Sequence, residues 1–152
     1  MKVRSDFVTN SSSSSFILGF NSAEDIDKVR DELPSYWSDD AKDEVVSDIK
    51  EGSTTKEGAL EEYKHSLYGY RFDWKFKGKD YWSLTKEERA SKEYLSFVSQ
   101  KEFELSQDFI KKLDEYEEFS IVSYEDHTDF GSTMEHDIMP CLGNTLKAIS
   151  HH

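Results

Sequence analysis

Apolar positions along this chain follow two different rhythms. Residues 16–20 (FILGF) form a short continuous apolar run closed by Asn21, which predicts a strand ending in a turn. Period 3.6 then takes over. After Ser22, the residues Ile26, Val29 and Leu33 fall on one helical stripe that Pro34 stops. Ser38 can cap a second helix in which Ala41, Val45 and Ile49 recur at i, i+4 and i+8 before Gly52. The pattern Thr54-x-x-Glu57 reads as a capping box for a third helix carrying Leu60, Tyr63 and Leu67 and ending near Gly69.

At residue 70 the period changes to 2. Tyr70, Phe72, Trp74 and Phe76 alternate with Arg71, Asp73 and Lys75, and KGKD then separates them from YWSL. This predicts a β-hairpin over 70–84 with its rings toward the core. Thr85-x-x-Glu88 is a further capping box, followed by a helical stripe of Ala90, Tyr94, Phe97 and Val98, although YLSFV fits a strand equally well. Phe109, Ile110, Leu113 and Tyr116 mark another helix, FSIVSY another strand, and Ser132-x-x-Glu135 a short helix ended by Pro140. LKAISHH reads as a last strand or a short helix. The mixture lacks a βαβ rhythm, so the expected class is α+β, with a small, mostly antiparallel sheet packed with short amphipathic helices.

One domain, 1–152, suits this length. It divides into a serine-rich loop and first strand (1–20), an acidic helical part (21–69), the aromatic hairpin (70–84), and helices and strands with an acidic, histidine-rich end (85–152).

The run Asn10, Ser11, Ser12, Ser13, Ser14, Ser15, Phe16 lies between apolar clusters. Serine hydroxyls bond nearby backbone, and Phe7 and Phe16 can pin both ends, so an ordered loop against the domain is expected over 10–15. The opening MKVRSDFVTNSSSSSF resembles one shared by many small bacterial and bacteriophage proteins, K-x-R-x-x-F-V-[ST]-N-S-S-S-S-S-F, with Asp6 where glycine is common. That resemblance implies a prokaryotic or phage origin and names no reaction. A phage origin would favour a small acidic protein that binds a host factor.

Charge narrows the function further. The chain carries 32 acids and 19 bases, a formal net charge of −13. Residues 21–68 hold 14 acids against 6 bases and residues 105–152 hold 10 against 3, on either side of a nearly neutral, aromatic middle. Such a balance argues against direct binding to nucleic acid or to an anionic membrane. It favours a non-enzymatic binding protein or inhibitor, whose acidic surface on 24–62 and 108–137 meets a basic partner, such as a nucleic-acid-binding host protein. The single cysteine, Cys141, fits a reducing cytoplasm and reads as a packed thiol. No apolar run approaches the length of a membrane span.

Residues that could carry chemistry are few. His127, Asp129, Glu135 and His136 form the one set with metal-ligand character, and a divalent metal is the only cofactor they suggest. With such an ion bound, the alternative function is a metal-dependent hydrolase or nuclease. Their spacing lacks the i, i+4 histidine pair of strong metal motifs, and Glu135 has a rival task in its capping box. The rings and cations of 70–79 suggest a stacking surface for single strands, but strict alternation would place them on opposite faces of a strand. No catalytic residue and no phosphate-binding loop is evident.

Overall fold

The computed structural model describes residues 13–125 and 128–151. The elements in chain order are β1 (Ser13–Phe20), α1 (Ala23–Glu32), α2 (Asp39–Glu51), β2 (Ser53–Thr54), α3 (Lys56–Tyr70), α4 (Lys86–Ala90), α5 (Lys92–Leu113), β3 (Glu118–Glu125), α6 (Asp129–Thr133) and β4 (Thr145–His151). The strands make one antiparallel sheet in the order β2-β3-β1-β4, so the fold is α+β. The chain divides into two compact units, Met1–Ala59 with Glu115–His152, and Leu60–Asp114.

In the first unit, β1 is a central strand with β3 on one side and β4 on the other. That position explains why FILGF is apolar without alternation: both faces of a central strand are covered, and Phe16, Ile17, Leu18 and Phe20 are all essentially inaccessible. Phe16, Leu18 and Phe20 pack with Ile26 and Val29 of α1, with Val45 and Ile49 of α2, and with Met134 and Met139 beyond α6. Ser38 caps α2 as its sequence position suggests, its hydroxyl accepting from the Ala41 N–H at 3.2 Å.

Residues 13–15 of the serine run belong to β1 rather than to a loop, paired with β3 and β4. Ser14 and Ser15 are buried; Ser15 shares a 2.7 Å hydrogen bond with the hydroxyl of Ser123, and Ser14 donates to the carboxylate of Glu135. Serine is tolerated in a central strand here because cross-strand and tertiary partners satisfy its hydroxyl. Asn10, Ser11, Ser12 and Phe7 lie outside the described residues.

The unit Leu60–Asp114 is helical and held by rings. Tyr63 of α3 meets Phe109 of α5 at 4.1 Å between centroids, and Phe76 packs on Tyr94 and Phe97 at 5.4 and 5.2 Å. YLSFV is helical, within the 22-residue α5. The Thr85 capping box forms as read, with Glu88 N–H donating to Thr85 and Thr85 N–H donating back to Glu88.

The hairpin over 70–84 does not form. Tyr70 ends α3, Arg71–Asp73 and Tyr81–Ser83 are single helical turns, and only a bridge between Phe76 and Lys79 remains. Lys77 and Gly78 both have positive φ, which makes the reversal a tight turn of hairpin type. A ribbon of two short strands is marginal alone. Ring packing supplies the alternative: Phe72 lies edge-on to Tyr81 at 4.7 Å and stacks on Trp82 at 5.7 Å, and Tyr70, Phe72, Trp74 and Phe76 are only partly buried.

Three local readings also shift. Thr55, not Thr54, caps α3 through the Gly58 N–H, since Thr54 is taken up by β2. The helix expected to open at Ser132 begins at Asp129, because Thr128 caps it through the Gly131 N–H, and Glu135 is turned inward rather than closing a box. Cys141 is exposed rather than packed, at the end of the turn Met139–Cys141.

Candidate functional site

The two acidic blocks of the sequence converge in one unit. Leu60–Asp114 contains 11 acids and 11 bases, whereas Met1–Ala59 with Glu115–His152 contains 21 acids and 8 bases and therefore carries the whole excess. Within that unit the bases of α1 and α2 are largely committed to local acids. Lys28 pairs with Asp25 at 2.7 Å, Lys50 with Asp27 at 2.6 Å, and Arg30 reaches Asp39 and Asp43 at 2.7 and 2.8 Å, joining α1 to the start of α2. Those two carboxylates raise the pKa of Arg30 further above its ordinary value.

What remains is a stripe. Asp40, Glu44, Asp48 and Glu51 recur at i, i+4, i+8 and i+11 along α2, on the side away from the buried Val45, Val46 and Ile49. Asp40 and Glu44 are exposed and contact no cation among the described residues. The carboxyl of Asp48 is pushed above the usual aspartate range, first by partial burial and then by the neighbouring charges of Glu44 and Glu51. A carboxylate in that condition gains from an incoming cation, because a positive group would offset both causes.

The stripe runs into a cleft of about 450 Å³ lined by Asp48, Glu51, Tyr124, Glu125 and Thr128. The sheet makes this opening: β2 pairs with β3 only at Phe119 and Ser120 and the Ile121 N–H donates to the Gly52 carbonyl at 2.9 Å, so residues 122–125 leave their outer edge as a wall. Two glycines let the backbone close in at its ends. A Cβ on Gly52 would stand 2.1 Å from the Ile121 carbonyl oxygen, and one on Gly131 would stand 1.9 Å from that of Glu125. Inside, the Tyr124 hydroxyl approaches Asp48 Oδ2 at 3.5 Å. Burial, with the charge of Asp48 second, pushes the Tyr124 phenol far above its ordinary pKa, so it stays a donor at neutral pH.

The set read as metal ligands is not gathered in this way. Asp129 and His136 are exposed on α6 and the turn after it, while Glu135 is buried with one oxygen accepting from Ser14 and the other without a partner. His127 lies outside the described residues. Among the described residues no three of His, Cys, Asp and Glu come close enough to hold an ion. From the sequence, 24–62 reads as a broad acidic surface and the stripe on α2 is not singled out, although its helical spacing is there to find. The contribution of Tyr124, Glu125 and Thr128 was not legible there, because only strand pairing brings them beside α2.

Among the described residues no helix is long and apolar enough to cross a membrane. The chain matches no known family model, no curated protein and no solved structure.

Proposed function

We propose that this protein is a non-enzymatic binding protein or inhibitor that presents the acidic unit, centred on α2 and its adjoining cleft, to a basic protein partner. The observation that carries the reading is the stripe Asp40, Glu44, Asp48 and Glu51, left without an ion pair among the described residues while Arg30 and Lys50 are held by other acids. Carboxylates at one-turn spacing, with Cβ atoms about 5 to 6 Å apart, offer a regular line of negative charge as a nucleic-acid strand does, so a nucleic-acid-binding host protein is a fitting partner class. Complementary charge of this kind accelerates encounter and makes association salt-sensitive. The competing account is that the acids only keep the protein soluble.

Titration with a lysine- and arginine-rich peptide at low and at raised salt separates the two. Binding should weaken with salt, and the pair Asp40→Lys, Glu44→Lys should weaken it at least tenfold. The same number of reversals on the neutral unit, Glu87→Lys with Glu104→Lys, should leave it near the unaltered value. Equal losses from both pairs would mean that only net charge matters, and the proposal would fall.

A further inference from the structure

Helix α5 keeps one side open. Leu95 and Phe103 are 54% and 59% exposed, two helical turns apart, with Ser99 midway between them. At 1.5 Å per residue they are separated by about 12 Å along the axis. A shallow hollow of about 480 Å³ lies beside Leu95, lined also by Lys92, Ser96 and Ser99. A second, of about 380 Å³, lies beside Phe103, lined also by Ser99, Glu102 and Ser106, with Leu67 of α3. The face therefore alternates knob and hollow about a small central residue.

We propose that this face binds a second copy of the chain, the two α5 helices running antiparallel across a two-fold axis at Ser99. Only a self-complementary patch can close a two-fold dimer, and this one meets the requirement. The axis brings Leu95 of each copy beside Phe103 of the other. Each Phe103 then enters the hollow beside Leu95, Ser96 and Ser99, and each Leu95 enters the hollow beside Phe103 and Ser106. Serine at the centre lets the helices approach closely. Charge agrees as well. Lys92 stands opposite position 106 of the second copy, one turn from Glu102, within reach of its long side chain. The unit Leu60–Asp114 holds equal numbers of acids and bases, so two chains of net charge −13 meet here through the part that does not repel. A parallel arrangement would instead set Phe103 against Phe103 and Lys92 against Lys92.

The contact belongs to the small, weak class of interfaces, so association is expected at high micromolar concentration. Sedimentation velocity of the full chain over rising concentration should show a monomer–dimer shift. Phe103→Asp alters a ring already exposed in the monomer, so circular dichroism should be unchanged while association weakens tenfold or more. In a Cys141→Ser background with oxidised glutathione, Ser99→Cys should give a cross-linked dimer, as should Leu95→Cys combined with Phe103→Cys, whereas Phe103→Cys alone should not. A monomer throughout, an unaltered shift in Phe103→Asp, or cross-linking by Phe103→Cys alone with none by Ser99→Cys would overturn the proposal. These results are independent of the acidic stripe, which lies on the other unit.

Discussion

The two units use charge in opposite ways. In Met1–Ala59 with Glu115–His152, Phe16, Leu18, Val29, Val45 and Ile49 fill a core of mostly aliphatic groups, and among the described residues Glu135 is the one acidic or basic side chain of the unit that is buried. In Leu60–Asp114, cations are part of the packing. Arg71 lies 3.8 Å over the Tyr68 ring and Arg89 4.3 Å over Tyr81, while Lys77 and Lys79 pair with Glu93 and Glu88 at 2.7 and 2.9 Å. A unit whose cations hold rings and acids has little uncompensated charge to offer a partner. A unit with a densely packed aliphatic core can carry a large acidic excess on its surface, because its stability rests on apolar burial.

The largest expected effect tests where stability resides. Phe16→Ala removes a fully buried ring from β1 and should cost about 3 to 5 kcal/mol in denaturant unfolding, whereas Trp74→Ala, at a partly exposed position, should cost clearly less. Equal losses would erase the contrast between the cores.

Ser14→Ala should come next. It leaves both oxygens of the buried Glu135 short of a partner, which costs about 1 to 3 kcal/mol. Glu135→Leu in the same chain should return part of that loss, since the stranded acceptor is then gone, and a double-mutant cycle measures the coupling.

In the other unit, Thr85→Ala breaks the capping box of α4 and should cost about 1 kcal/mol by thermal unfolding. A negligible change would mean that ring packing alone positions this turn.

The smallest effect is a gain. The folded state holds the Asp48 proton more tightly than the unfolded chain does, so ionising Asp48 costs stability as pH rises through the carboxylate range. Asp48→Asn should therefore stabilise the protein at pH 7, by less than about 1 kcal/mol because solvent screens a partly exposed group. The gain should fade below about pH 4, where the carboxyl is protonated in both states. A loss of stability at pH 7 would show that the contact with Tyr124 outweighs the repulsion from Glu44 and Glu51.

Locally encoded features were legible in the sequence. The stripe Ile26, Val29, Leu33, the Ser38 cap, the Thr85 box and the apolar run of β1 each depend on residues within one or two turns, and each appears where its pattern places it. The alternation of 70–76 misled because period 2 describes a strand only when another strand is there to pair with. Here rings from 72, 81 and 82 pack on one another instead. Likewise, YLSFV is too short to choose its own state, and continuity with the helix that follows it decides the matter.

The sequence by itself determined the α+β class, the acidic excess and the faces of the first helices, because propensity, capping and amphipathic period act over a few residues. Tertiary structure alone decided that two distant acidic blocks share one unit, that Tyr124 and Glu125 stand beside Asp48, and that Ser14 meets Glu135. The Tyr124–Asp48 and Ser14–Glu135 contacts join positions 76 and 121 residues apart, and only strand register and core packing select them.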